Sequence, residues 1–188
     1  VTLRSEHIHL LCPPSGRRDT LVAALELLHQ TNAPGEEVRI VEVGTSRDAR
    51  PLADGWATRV FAWYCSALPD GQGRVISIDP EPHANAAALR IVGEYAPWLV
   101  QHQMFAQDFL GGFKPRIDLL YMDGPHTDDH IHSATVHLEI YRALLKPPRL
   151  VLFDDVDVKG AEAIPAMLAD GWEQLWTRDN QALLRGPK

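Results

Sequence analysis

The strongest constraint on this chain is an alternation of two patterns. Short strand-like runs carrying apolar residues are separated by polar loops and by stretches with helical spacing. The runs are "VRIVEV" (38–43), "GRVISID" (73–79), "LVQHQMF" (99–105), "RIDLLYMD" (116–123) and "RLVLFDD" (149–155). The helical stretches are "TLVAALELLHQ", "WATRVFAWYCSAL", "ANAAALRIVGEY", "DDHIHSATVHLEIYRALL" and "KGAEAIPAMLAD", with none read between the third and fourth runs. The tail "WEQLWTRDNQALLRG" predicts two short antiparallel strands about "RDN". Parallel strands need crossovers, and crossover helices cover the faces of the sheet. The expected class is therefore α/β, a doubly wound, mostly parallel seven-stranded sheet ending in an antiparallel hairpin. With 188 residues, 45% of them hydrophobic, the chain can bury one substantial core. A single domain over 1–188 is expected, with 1–37 as an N-terminal cap and helix region and 38–188 as the core.

Such sheets bind ligands outside the carboxyl ends of their strands. Acids stand at those ends: Glu42, Asp79, Asp123, and Asp154 with Asp155, while Asp108 follows the third run. One such acid alone would read as a turn or helix-cap residue. Together they converge on one rim, where like charges must be offset by cations or hydroxyl donors. Gly44 follows the first strand directly and permits close approach of backbone to a ligand. Thr45, Ser46 and Arg47 come next, so GxGxxG is absent. That absence tells against a dinucleotide, whose pyrophosphate wants a Gly-rich helix N-terminus. Asp79 can accept hydrogen bonds from ribose hydroxyls. A ligand with a ribose, an adenine and a positive centre suits this rim.

On these residues the chain resembles the class I S-adenosylmethionine-dependent methyltransferases, which have a Rossmann-like fold, over nearly its full length. "VEVGTS…GWAT" is similar to their first motif, "VISIDPEP" to their ribose-binding motif, and "QDFL" to the segment whose acid lies by the adenine. "DLLYMDGPH" and "RLVLFDDV" resemble strands of the metal-dependent small-molecule O-methyltransferases, the macrocin-like and rhamnosyl O-methyltransferase/cephalosporin-hydroxylase-like branch. The resemblance implies S-adenosyl-L-methionine held by Glu42, Gly44, Thr45, Ser46, Asp79, Pro80, Asp108 and Asp123. It implies Mg²⁺ or another divalent cation on Asp123, Asp154 and Asp155, whose hard oxygens suit such an ion. His126, three residues after Asp123, is the implied catalytic base, since imidazole changes charge near neutrality. Two departures stand out. The loop from Gly44 to Gly55 is long, and Pro125 stands where some sugar methyltransferases carry a catalytic Asp.

The implied activity is metal-assisted O-methylation of a sugar, phenol or natural-product hydroxyl. The alternative is a methyltransferase-fold module that binds the cofactor without methyl transfer, or a hydroxylase-named relative. Asp155-x-Asp157 matches no more than half of a phosphatase signature, because too little chain follows to complete one. His126 and His130 have the i,i+4 spacing of a zinc pair, but Gly124-Pro125 sets His126 off the helix.

A net charge of −7 with no basic stripe argues against nucleic acid as a partner. No apolar run has the length of a membrane span, and no signal-like segment is read at the start. The first residue is Val1, which suggests a trimmed start or a longer parent. Two cysteines, Cys12 and Cys65, fit a reducing, cytoplasmic location and packing roles. A short chain with an incomplete acceptor lid can borrow one from a neighbouring copy, so a homo-oligomer is compatible with the sequence.

Overall fold

The computed structural model describes residues 16–33, 35–47, 56–125 and 129–187. Its strands are β1 (Val38–Val43), β2 (Gly73–Ile78), β3 (Leu99–His102), β4 (Leu119–Met122), β5 (Leu150–Phe153), β6 (Glu173–Arg178) and β7 (Gln181–Arg185). Its helices are α1 (Gly16–Thr31), α2 (Ala57–Ser66), α3 (Pro82–Val92), α4 (Ala106–Gly112), α5 (His130–Ala143) and α6 (Ala163–Ala169). The strands form one sheet in the order β3-β2-β1-β4-β5-β7-β6. The first five are mutually parallel, and β7 runs antiparallel to both its neighbours. The expected fold is present, with α4 as an unforeseen helix between β3 and β4.

Period-two alternation sends side chains to two apolar layers. Ile40, Val75, Leu119, Leu152 and Leu183 pack with α1 and α2 on one face. Val41, Ile78, Leu120, Val151 and Leu184 pack with α4, α5 and α6 on the other. Both faces are covered, which is why β4 and β5 read as continuous apolar runs. The hairpin turn Asp179-Asn180 has positive φ at both residues (50° and 58°), the two-residue turn whose twist matches that of the flanking strands. Among the described residues no helix is long and apolar enough to cross a membrane. Cys65 is fully buried in the first layer, while Cys12 lies outside the described residues.

The register decides where the loops emerge. Val43 pairs with Ile78 and with Met122, and Met122 pairs with Phe153. The residues that follow are Gly44, Asp79, Asp123 and Asp154, which therefore leave the sheet side by side. Gly44 has φ +81°, and a Cβ there would sit 2.1 Å from the Asp123 carbonyl oxygen. Glycine is required twice over at this position, by conformation and by space. Gly44→Ala is expected to cost about 2 kcal/mol or more in urea unfolding, from left-handed strain plus the clash. A loss below about 0.5 kcal/mol would mean that the β1 and β4 tips are not held this close.

Candidate functional site

The shared end of the strands opens into a crevice of about 480 Å³. Its lining comes from the β1 and β2 tips (Gly44, Asp79, Pro80) and the start of α4 (Phe105, Ala106, Gln107). The β4 tip and α5 supply Gly124, Pro125, His132 and Val136. Asp79 is wholly buried, and its carboxylate is fixed from three directions. Oδ1 accepts from the Glu81 amide (2.9 Å), and Oδ2 accepts from the Thr45 amide (3.2 Å) and Arg47 Nη2 (3.1 Å). The two amides are fixed by the backbone, whereas Arg47 is 52% exposed and sits on a long stem.

Glu42 lies behind this wall and points into the α1–α2 layer. It is 1% exposed, accepting from Thr58 Oγ1 (2.9 Å) on α2 and from Ser77 Oγ (2.7 Å) on β2. Thr58 Oγ1 also accepts from the Ser46 amide (3.0 Å). Thr45 and Ser46 are buried at 6% and 2%, and their described contacts tie the turn to α2 and to Asp79. Asp108 is exposed in the first turn of α4, and Phe105, Ala106 and Gln107 line the crevice in its neighbourhood. The helix that begins at Ala106 is the physical reason, because it turns successive side chains about 100° apart.

The second half of the site is a carboxylate cluster next to Gly124. One oxygen each of Asp123, Asp154 and Asp155 lies within 4.8 Å of the others. Among the described residues, two cations are bonded to the same groups. Lys159 Nζ contacts Asp123 Oδ1 directly and Asp155 Oδ2 at 3.1 Å. Arg17 donates to Asp155 Oδ1 (2.6 Å) and pairs with Asp154 Oδ1 (3.2 Å). Gln181 Nε2 donates to Asp154 Oδ1 (2.9 Å), and Thr20 Oγ1 holds Gln181 through its Oε1. Burial pushes the Asp154 carboxyl above its usual range, with Arg17 pulling it down and Asp155 adding to the rise. Burial acts to lower the Lys159 pKa, yet Asp123 and Asp155 outweigh it, so the ammonium is held above its ordinary value.

The trio suits a hard divalent ion in donor type and spacing. It does not suit one in occupancy, because Lys159 and Arg17 already hold oxygens of all three acids. Arg17, Lys159 and Gln181 are functional candidates that sequence reasoning missed. Lys159 had a visible signal: it stands four residues after Asp155 in "DDVDVKG". Arg17 had none, because it meets Asp155 across 138 residues of sequence. His126 lies outside the described residues. His130 and His132 are exposed on α5, as a solvated polar face requires. Asp157 is exposed too, apart from the cluster.

His137, one turn further along α5, is buried beneath the loop after β4. Its Nδ1 donates to the Ser133 carbonyl (2.7 Å), and Nε2 has no hydrogen-bond partner among the described residues. Nε2 sits 3.1 Å from where a Gly124 Cβ would be, so the imidazole packs directly under the turn that carries Asp123.

The family of methyltransferase domains matches residues 54–156. No curated protein matches the sequence. Among solved structures, a Klebsiella pneumoniae protein assigned as an O-methyltransferase is 18% identical, with 98% of this chain and 96% of that one covered at a TM-score of 0.55. A Podospora anserina methyltransferase with bound S-adenosylhomocysteine is 15% identical over 97% and 87%, with a TM-score of 0.57. A Clostridium thermocellum protein assigned as an rRNA methylase is 11% identical over 87% and 94%, with a TM-score of 0.54.

Burial lowers the His137 pKa to about 4, with Lys159 adding to the drop and Ser133 and Asp155 opposing it. The fold thus holds the neutral ring, while the unfolded chain takes a proton near pH 6.5. The contribution is complete above that pH and is lost as pH falls toward about 4, a difference of roughly 3 kcal/mol. Urea unfolding of wild type and His137→Leu from pH 8 to pH 4.5 reads it out. Wild type should lose stability more steeply, and parallel pH curves would show that His137 titrates normally.

Proposed function

This chain belongs to the methyltransferase domain family and is an S-adenosylmethionine-dependent methyltransferase, and we propose that it methylates a hydroxyl of a small molecule. The observation that carries the proposal is the contact between the two halves of the site. The crevice runs up to Gly124 and Pro125, and Asp123, whose side chain is 26% exposed, opens the carboxylate cluster beside them.

In this reading the adenosyl part lies over the β1 and β2 tips. Gly44 lets the backbone approach it, Asp79 accepts the ribose hydroxyls after Arg47 yields its bond, and Pro80 and Gln107 border the base. Thr45, Ser46 and Glu42 act from behind by holding that turn to α2. The acceptor hydroxyl approaches from the Asp123 side, where a carboxylate can accept its hydrogen bond and orient an oxygen lone pair along the sulfonium–methyl axis. Displacement at the methyl carbon forms the oxygen–carbon bond and breaks the carbon–sulfur bond, giving the methyl ether, S-adenosylhomocysteine and one proton. His126, three residues beyond Asp123, is the proposed acceptor of that proton.

Small acceptors are favoured because acids crowd the rim and the chain carries a net charge of −7, an unfavourable surface for a nucleic-acid backbone. The region 1–37 is the proposed acceptor cap, since Arg17 brings the start of α1 onto Asp154 and Asp155. A divalent ion such as Mg²⁺ on the trio is the activation that the resemblance implies. The trio supplies its oxygens, but only with Lys159 displaced, so no step above is routed through a metal.

Titration calorimetry with S-adenosylhomocysteine tests the cofactor half. Wild type should bind, and Asp79→Ala should weaken binding at least about tenfold, or about 1.4 kcal/mol. Asp123→Asn should leave that affinity within about threefold while abolishing radiolabelled methyl transfer to a panel of sugars and phenols. Methyl transfer by wild type to RNA but to none of these would reject the acceptor class, and absence of cofactor binding would reject the whole reading.

A further inference from the structure

We propose that the ammonium of Lys159 permanently takes the place of the divalent cation, so that this methyltransferase holds its acidic trio together without a metal. The proposal rests on the functional reading above and deepens it. The side chain of Lys159 is 3% exposed, and its nitrogen sits between Asp123 and Asp155, two of the three groups that a metal would need. A metal ion there must expel it.

The backbone that carries it is held in place. Asp155 adopts a left-handed φ of 47°, and its carbonyl accepts from both the Val158 amide (3.0 Å) and the Lys159 amide (2.7 Å). Gly160 follows in a tightly packed turn, where even a Cβ would lie 2.6 Å from Ile164 Cδ1 and 2.9 Å from the Val156 carbonyl oxygen. These contacts hold the backbone of the segment, so the ammonium can leave the carboxylates only by a change in the lysine's own side-chain torsions. A displaced ammonium that stayed inside would be a buried, unpaired charge, which is strongly destabilising.

The charge balance points the same way. Among the described residues, three carboxylates face one guanidinium and one ammonium, a formal balance of one negative charge. One positive sulfonium in the neighbouring crevice balances that charge. Adding a divalent ion with both cations retained would crowd three cationic groups into a confined site and turn its net charge positive beside the sulfonium. Lys159 thus acts as a positioning residue: it fixes the carboxylate of Asp123 that faces the acceptor.

Titration of the EDTA-treated full chain with Mn²⁺, followed by electron paramagnetic resonance of the free ion, tests this. Wild type should show no saturable site below about 1 mM, while Lys159→Gln should gain one at least about tenfold tighter, removed again by Asp154→Asn. Lys159→Met serves if the glutamine variant fails to fold by circular dichroism. If neither folds, the wild-type titration decides. A saturable wild-type site that Asp154→Asn abolishes overturns the proposal, and so does a folded neutral variant that gains no site. Calorimetry with S-adenosylhomocysteine on the same samples separates the two ideas. Lost cofactor binding sinks the functional reading, whereas Mn²⁺ binding with cofactor binding intact sinks only the role of Lys159.

Discussion

Four parallel strands stop on one line, and the whole site depends on that register. A sheet buried on both faces specifies register weakly through its apolar side chains, because a one-residue slip exchanges one apolar layer for another. Here the missing specification comes from a polar residue. Glu42 stands inside β1 with its carboxylate in the α1–α2 layer, opposite Ser77 in the β1–β2 pairing and within reach of Thr58. A slip by one would set it against Ile76 or Ile78 and leave a buried carboxylate without its hydroxyl donor. The acid that resemblance assigns to the cofactor is, in the fold, the pin that keeps the other acids abreast.

Bringing those acids to one rim creates an electrostatic problem, which the chain solves in two different ways. At Asp79 the solution is neutral, since backbone amides of Thr45 and Glu81 donate to each oxygen. Backbone donors cannot move away, so this carboxylate keeps its geometry whether or not Arg47 is present. At Asp123, Asp154 and Asp155 the solution is ionic, from Arg17 and Lys159, with Gln181 as the one neutral donor to Asp154 among the described residues. The two halves meet at Gly124, over the buried His137. A ring kept neutral beneath that turn adds no charge to the carboxylates, guanidinium and ammonium already paired there.

The sequence made the strands, the doubly wound class and the hairpin legible, because each rests on local periodicity or turn chemistry. It also made Asp79, Asp123, Asp154 and Asp155 legible as one group, since an acid after an apolar run must emerge at the strand end. What it hid was side-chain direction and long-range pairing. Helix α4 is only two turns long and ends on two glycines, too short to show a period. Without it, Asp108 reads as a strand-end residue, whereas it lies exposed in the first turn of α4. Arg17 meets Asp155 across 138 residues of sequence, a contact that no local pattern encodes. Gln181 likewise begins a strand that reads only as the second arm of a hairpin.

Lys159 is a different kind of omission, with a general physical basis. Three strand-end aspartates invite the question of what they can bind, but what the chain itself supplies to neutralise them comes first. Three acids within one ligand sphere are unstable without a counter-charge. In this chain that charge is encoded twice, by Arg17 on α1 and by a residue just after the last acid. Here the left-handed Asp155 closes a tight turn, and the fourth residue on returns a lysine to the carboxylate it started from. A chain with a small or neutral residue at that position would have to find this second charge elsewhere. A chain with a buried lysine there has one cation built in, and the same aspartates then lie together with less need of an ion from solution.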